Sequence, residues 1–258
     1  MLDGRQPHRG ERPVAKRSRK RRASPVTIIG LVLILSGLGA LGWVGYQYLG
    51  TNVVSEREFT KSKENLRKVW DSPPTASPSK TGGATKDPAA SPSKTGGATK
   101  DPAADPVGNA VPGDAIALLR VPSWGADYEV PILKGTSLDI LANGVGMYTS
   151  SVAPGEVGNL AIAGHRITHG EPFAQLLKLR PGSEVVIETQ TKIFTYVMDN
   201  SPADLTVDET ANWVLEPVPG EPQTKPTKAL LTLTTCQDLF RSPDRSVGFA
   251  HLASTVNK

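Results

Sequence analysis

Apolar residues are distributed unevenly along the chain, and the first pattern is an unbroken apolar run. Residues 25–49 read PVTIIGLVLILSGLGALGWVGYQYL and carry no charge. At about 1.5 Å per residue, a helix of this length crosses about 30 Å of hydrocarbon. A cleaved signal peptide is the alternative, but its apolar region usually covers only about 7–15 residues. The run therefore predicts a transmembrane helix over residues 25–49.

The two ends of this run differ in charge. Residues 1–24 form a basic tail, in which nine Lys and Arg residues stand against Asp3 and Glu11. Trp43, Tyr46 and Tyr48 mark the opposite end as an aromatic belt. Basic residues next to a span favour the cytoplasmic side, so we expect a single-pass protein with its N-terminus inside the cell. The basic cluster touches the span and nothing later in the chain suggests base recognition, so no nucleic-acid partner is expected.

The second pattern is polar and repetitive. Residues 50–72 mix charges with a few apolar residues at loosely helical spacing, which fits a short juxtamembrane helix or a solvated stalk. Residues 73–110 are rich in Pro, Gly, Ser, Thr and Lys, and the segment 76–89 (ASPSKTGGATKDPA) recurs unchanged as 90–103. Such a composition cannot bury a core. We therefore expect residues 73–110 to be a disordered, flexible spacer.

The third pattern, over residues 111–258, is a series of short β-forming runs separated by Gly, Pro, Asp and Asn. Such spacing is typical of an all-β barrel or sandwich. The predicted strands are residues 115–121, 128–133, 160–163, 184–189, 192–198, 229–235 and 246–252. Gln190 and Thr191 are predicted to form a hairpin turn, and residues 173–179 (FAQLLKL) one short helix.

Cysteine chemistry is restricted to one residue. Cys236 is the single cysteine of the 258-residue chain, which excludes an intramolecular disulfide and a metal site built on several thiolates. It ends the run ALLTLTTC, and the two-residue period puts it on the face of Thr232 and Thr234, which we expect to be the less buried face. An isolated Cys is more often inert filler than a nucleophile, so its partners decide the interpretation.

A thiol needs a base or a positive charge nearby to react at neutral pH. His165 follows a β-like run and a glycine (NLAIAGHR), at a junction where its ring could enter a cleft. His169 is four residues later, but a zinc protease motif needs Glu after the first His and a helix beneath, so no metal site is expected. We expect His251, within the last strand, to be structural.

Arginines after Cys236 supply the candidate positive charge. Arg245 begins the last predicted strand, and strand pairing would bring it near Cys236, where a guanidinium could donate to an oxyanion or to substrate carbonyls. Arg241 lies inside the preceding loop and is the weaker candidate. Thr234 and Thr235, just before Cys236, are the candidate substrate-binding residues.

These residues resemble a known family, the sortases, which are membrane-anchored cysteine transpeptidases of Gram-positive bacteria. The resemblance is carried by PGEVGNLAIAGHR (residues 154–166), LTLTTC (231–236) and Arg245, and by GVGMY (144–148). The motif TLTTC and the nine-residue spacing from Cys236 to Arg245 are most similar to those of class E sortases of high-GC actinobacteria, with class D next. Gln237-Asp238 departs from the His-Pro or Asn-Pro pair that is frequent in class E.

The resemblance implies an eight-stranded β-barrel with short helices, in which Cys236 is the nucleophile, His165 the general acid and base, and Arg245 the substrate or oxyanion clamp. It implies cleavage of an LPxTG- or LAxTG-like sorting signal between Thr and Gly through a thioester. The partners would be surface proteins bearing such signals and a peptidoglycan precursor amine. No cofactor is expected, the catalytic domain would lie outside the cell, and the protein would be monomeric.

Two other classes of function remain as alternatives. An extracellular cysteine peptidase would use similar groups, although papain-like enzymes have Cys before His in the chain and here His165 precedes Cys236. A non-enzymatic β-domain displayed on a stalk would leave Cys236 unreactive and dispensable.

Overall fold

The computed structural model describes residues 24–46, 50–71, 110–236 and 243–258. The chain divides into two compact units, Met1–Val44 and Gly45–Lys258. Most of the basic tail, the tandem repeat, Tyr48, Arg241 and the Gln237-Asp238 pair lie outside the described residues.

The first unit contains helix α1 (Pro25–Gly45). Ser24 begins the helix because its hydroxyl accepts a hydrogen bond from the Thr27 backbone N–H at 3.2 Å. Pro25 has no N–H to leave unsatisfied in the first turn, where a helix tolerates proline. The 21 residues are long and apolar enough to cross a membrane by length and composition, as the hydrophobic run predicted.

The second unit contains helices α2 (Thr51–Asp71) and α3 (Leu138–Leu141) and a sheet of nine strands among the described residues. The strands are β1 (Ala115–Arg120), β2 (Val130–Lys134), β3 (Val145–Met147), β4 (Gly158–Ala163), β5 (Glu184–Glu188), β6 (Lys192–Met198), β7 (Thr206–Asp208), β8 (Ala229–Cys236) and β9 (Asp244–Asn257).

Eight of these strands close into a barrel. The order of neighbours is β6-β5-β1-β2-β3-β4-β8-β9, and pairing of β9 with β6 completes the ring. The short strand β7 is a ninth, attached to the first residues of β9. The predicted eight-stranded barrel is therefore confirmed.

Apolar side chains from every wall of the barrel fill its interior. The largest fully buried residues include Tyr196, Phe173, Ile162 and Leu160. The hairpin at Gln190 and Thr191 forms as predicted, joining β5 to β6. The predicted helix over 173–179 is wrong: only Leu176–Lys178 form a single 3-10 turn. Its apolar residues are spaced by three because they point inward from successive tight turns.

Helix α2 packs against the barrel and belongs to the same compact unit. Phe59 and Leu66, seven residues apart on one face, are each only 6% exposed. Arg67 forms a 2.6 Å ion pair with Glu129, and the ammonium of Lys258 lies 4.7 Å from the centre of a Trp70 ring. The segment after α1 is therefore not a solvated stalk.

Candidate active site

The candidate nucleophile, base and arginine lie on three adjacent segments of the barrel. Strand β8 pairs in parallel with β4, in a register that sets Ala163 against Thr234. It pairs antiparallel with β9, in a register that sets Cys236 against Arg245. Continuing the β4 register two residues past Ala163 brings the backbone of His165 level with Cys236. The three predicted residues thus occupy one row across the barrel wall.

The segment carrying His165 is tied directly to β8. The Gly164 N–H donates to the Thr234 carbonyl at 3.1 Å, and the Thr235 hydroxyl donates to the Gly164 carbonyl at 2.7 Å. Gly164 is required here because a Cβ atom at this position would come within 2.7 Å of the buried Phe173 ring. The sequence AGHR therefore holds His165 close to the end of β8.

His165 is largely enclosed, and its ring stacks on that of His169. The two ring centres are 4.8 Å apart with an angle of 27° between the planes. The Nε2 atom of His165 is buried and has no hydrogen-bond partner among the described residues. Burial, assisted by the charge of His169, lowers the pKa of His165 from 6.5 to about 4. The imidazole is therefore neutral at pH 7 and able to accept a proton.

The loop that follows His165 has an unusual backbone. His169, Gly170 and Glu171 all have positive φ, at 55°, 76° and 49°. For a residue with a side chain this conformation costs about 1–3 kcal/mol and persists only where surrounding contacts impose it. Here the contacts come from α2: the Asn52 side-chain carbonyl accepts from the Gly170 N–H at 3.0 Å. The Asn52 side-chain NH₂ also donates to the Glu171 carboxylate at 2.6 Å.

Arg245 lies on the other side of β8 from His165. Its guanidinium forms a 3.0 Å ion pair with Glu209 and donates to the Asp244 carbonyl at 3.1 Å. The Arg245 side chain is 27% exposed, so the charge remains accessible to a ligand. Strand β7 positions the acidic partner, because Val207 pairs with Arg245 and Glu209 follows two residues later.

A cleft of about 220 Å³ opens next to Arg245. Its floor is β8 and β9, and its far wall is the segment after β7. Tyr148 and Thr234 lie across the floor with their hydroxyl oxygens 3.3 Å apart. The lining residues include Tyr148, Val207, Val214, Thr234, Arg245 and Val247. Asp208 and Glu209 also line it, so the cleft combines apolar side chains with hydroxyls, two carboxylates and one cation. Such a lining is suited to an extended peptide with a carbonyl near the arginine.

A buried polar network holds the far wall of the cleft. The Asn159 side-chain NH₂ donates to the carbonyls of Val214 and Glu216 at 3.1 and 3.0 Å. The Thr232 hydroxyl donates to the Asn159 side-chain carbonyl at 2.8 Å. The expectation that Thr232 and Thr234 share a less buried face is wrong, since they are 0% and 3% exposed. The wall segment covers that face of β8.

The two candidate substrate-binding threonines differ in position. Thr234 lines the cleft, whereas Thr235 is buried and bonded to Gly164, so it serves the backbone around His165. His251 forms a 2.6 Å contact with Asp199, away from the row. Sequence reasoning missed Tyr148, Asn159, Glu209 and Asn52 as contributors. Tyr148 and Asn159 had a signal, because they belong to the GVGMY and PGEVGNLAIAGHR stretches.

A family model described as "Sortase domain" matches residues 119–253, just over half of the chain. The chain belongs to the sortase family. The match covers β4, β8 and β9 as far as residue 253, and therefore the whole row of candidate catalytic residues. Sortases are cysteine transpeptidases, which agrees with a row built around one thiol.

Relatives indicate the class of sortase. Sortase SrtE1 of Streptomyces coelicolor is 32% identical over 245 residues, which cover 90% of this chain and 58% of that protein. Sortase SrtE2 of the same organism is 29% identical over 242 residues, covering 90% of this chain and 84% of that one. The solved structure of sortase E from Streptomyces avermitilis is 37% identical with a TM-score of 0.51, covering 57% of this chain and 93% of that one. These relatives support class E, as the motifs predicted.

Proposed function

We propose that this sortase cleaves an LPxTG- or LAxTG-like sorting signal between Thr and Gly and transfers the acyl group to an amine of a peptidoglycan precursor. The row formed by His165, Cys236 and Arg245 on neighbouring segments carries the proposal. The adjacent cleft supports it, because an extended peptide lying there would pass the arginine and the end of β8.

In the first half-reaction, neutral His165 accepts the proton of the Cys236 thiol, and the thiolate attacks the carbonyl carbon of the Thr residue. The carbonyl oxygen becomes an oxyanion, which the Arg245 guanidinium stabilises by hydrogen bonds. The carbon–nitrogen bond then breaks. The leaving glycine amine takes the proton from His165, and a thioester remains on Cys236.

In the second half-reaction, the acceptor amine attacks the thioester carbon. His165 accepts a proton from the attacking nitrogen and returns a proton to the departing sulfur, which regenerates the thiol. One amide has been exchanged for another, so the reaction needs no external energy source. The buried Nε2 atom of His165 has no hydrogen-bond partner in the part of the chain that the structure describes. This supports the role, because a buried ring nitrogen normally has a partner.

We also propose that α1 anchors the enzyme with its N-terminus in the cytoplasm and the barrel outside. The apolar length of α1 and the basic cluster that precedes it support this orientation. Surface proteins with C-terminal sorting signals would then meet the enzyme at the outer face of the membrane. The enzyme would act there as a monomer.

The test uses the full chain in detergent micelles, a library of LxxTG peptides and simple amines, with products identified by mass spectrometry. We expect amide products joined at Thr, and none from Cys236→Ala. Hydrolysis alone, with the acid as sole product at high amine concentration, would favour the peptidase alternative. Full activity of Cys236→Ala would overturn the thioester mechanism.

A further inference from the structure

The contacts between α2 and the loop after His165 have no part in the mechanism above. Asn52 bonds two consecutive residues of that loop, accepting from Gly170 and donating to Glu171. Two turns further along α2 is Phe59, whose ring packs so closely on Gly170 that a Cβ atom there would come within 2.7 Å of it. Both residues of α2 therefore act on the same short stretch of the loop.

The stretch that they contact cannot keep its shape unaided. Its three consecutive residues with positive φ include His169 and Glu171, which carry side chains. The loop is closed by a 2.9 Å hydrogen bond from the Phe173 N–H to the His165 carbonyl, so its conformation is transmitted to His165. The loop also presents His169 to the face of the His165 ring.

We propose that Asn52 is a positioning residue of the active site, which holds loop 168–171 in the conformation that encloses His165. This inference rests on the proposed function for its catalytic consequence only. Its physical basis is the pair of hydrogen bonds formed by one carboxamide. The helix next in sequence to the membrane span would thereby contribute to the environment of the catalytic base.

The surroundings of His165 determine how its accessibility to solvent should change when Asn52 is replaced. His169 stacks on its ring from the same loop, and Cys236 and Arg245 are at the matching register positions of β8 and β9. A loosened loop admits water to the imidazole, which weakens the effect of burial, the main cause of its lowered pKa. The ring becomes more reactive toward reagents in solution.

The first experiment compares Asn52→Ala with Asn65→Ala in the full chain in micelles. Asn65 is the matched control, because it is the same residue type on the same helix and is exposed. Diethyl pyrocarbonate at pH 7 modifies neutral imidazoles, and peptide mass spectrometry measures the rate at His165, with the more exposed His251 as internal standard. We expect the rate at His165 to rise about fivefold in Asn52→Ala and to stay unchanged in Asn65→Ala.

Turnover of a sorting peptide gives the second measurement. Small displacements of a catalytic group lower the rate strongly, so we expect kcat of Asn52→Ala to fall roughly tenfold with KM nearly unchanged. The carbethoxylation assay uses no peptide. The wild-type chain could process no peptide while Asn52→Ala still accelerates carbethoxylation of His165. That result would overturn the proposed function and support the positioning role.

A reciprocal exchange distinguishes positioning from simple loss of folding. Asn52→Asp keeps the acceptor for Gly170 but sets a carboxylate against Glu171, so it should resemble Asn52→Ala. Adding Glu171→Gln restores a donor and acceptor pair with reversed polarity and should return both measurements to near wild type. Equal behaviour of Asn52→Ala and Asn65→Ala, or failure of the double variant to recover, would overturn the proposal.

Discussion

At the scale of single residues, the protonation of His165 should be visible in the stability of the protein. Its folded pKa is lowered to about 4, whereas the unfolded chain keeps about 6.5. As the pH falls through this range, the imidazole binds a proton in the unfolded state but stays neutral in the folded state. The free energy of unfolding therefore decreases. After allowance for solvent screening, we expect His165 to account for a loss on the order of 2 kcal/mol between pH 7 and pH 4.

Urea unfolding of wild type and His165→Gln at several pH values between 4 and 7 measures this effect. The glutamine variant should lose less stability over the range than wild type does. Parallel curves for the two proteins would show that the imidazole stays as basic after folding as before.

The role assigned to Arg245 is tested by a change that keeps the charge. Arg245→Lys replaces a planar fork of five donors with a compact ammonium. If the guanidinium bonds the oxyanion in fixed geometry, kcat should fall about 10²- to 10³-fold. Arg241→Lys, in the segment between β8 and β9, is the control and should stay near wild type. Nearly full activity of Arg245→Lys would show that residue 245 acts only through its positive charge and not through hydrogen bonds in fixed geometry.

At this scale the sequence indicated the candidate catalytic residues but not the residues that hold them in position. His165, Cys236 and Arg245 could be selected because their types and spacing fit thiol catalysis. Asn52 could not be selected, since its function depends on a loop 118 residues away in the chain. The local sequence around a polar residue on a helix does not identify a partner that is distant in the chain.

At the scale of secondary structure elements, β8 depends on polar contacts as well as on its leucines. Thr232→Val removes the hydroxyl that satisfies Asn159 and leaves a buried carbonyl oxygen without its donor. We expect the free energy of unfolding to fall by about 1–3 kcal/mol. The peptide KM should also rise, because Asn159 holds the wall of the cleft.

The matched control is Thr255→Val, the same change at an exposed position of β9. It should alter stability by less than about 0.5 kcal/mol. Chemical denaturation measures both variants. Equal stabilities for the two would mean that the Asn159 network contributes nothing to holding the wall.

The sequence pattern located every strand of five or more residues, although the 14-residue β9 was predicted only over residues 246–252. Strand β6 was predicted with its observed bounds, and β8 to within one residue. Strands β3 and β7 were missed because each has three residues, too few to show an alternating pattern. β7 nevertheless positions Glu209, so one missed element carries part of the site.

At the scale of the whole molecule, the packing of α2 against the barrel changes what the spacer can do. Both ends of the segment 72–109 attach to one compact unit, at Asp71 of α2 and at Ala110 before β1. The repeat therefore closes a loop and does not set the distance between α2 and the barrel. Deleting residues 90–103 shortens that loop from 38 to 24 residues, which changes the closure free energy by only about 0.4 kcal/mol.

We therefore expect deletion of one repeat to leave the melting temperature and the peptide activity of the full chain unchanged. Differential scanning calorimetry and the mass-spectrometric assay measure the two properties. A melting temperature lowered by several degrees would mean that the repeat itself contributes contacts to the folded unit.

Closure of the barrel has a further consequence for how copies of the protein behave together. Each of the eight barrel strands has at least two strand neighbours, and within the described residues only β7 has one. β7 is three residues long and ends in Asp208, so it offers another chain a short, charged edge. Aggregation through edge-to-edge strand addition is thereby disfavoured. The folded enzyme should therefore remain dispersed at high local concentrations, including those that the proposed membrane anchoring would produce.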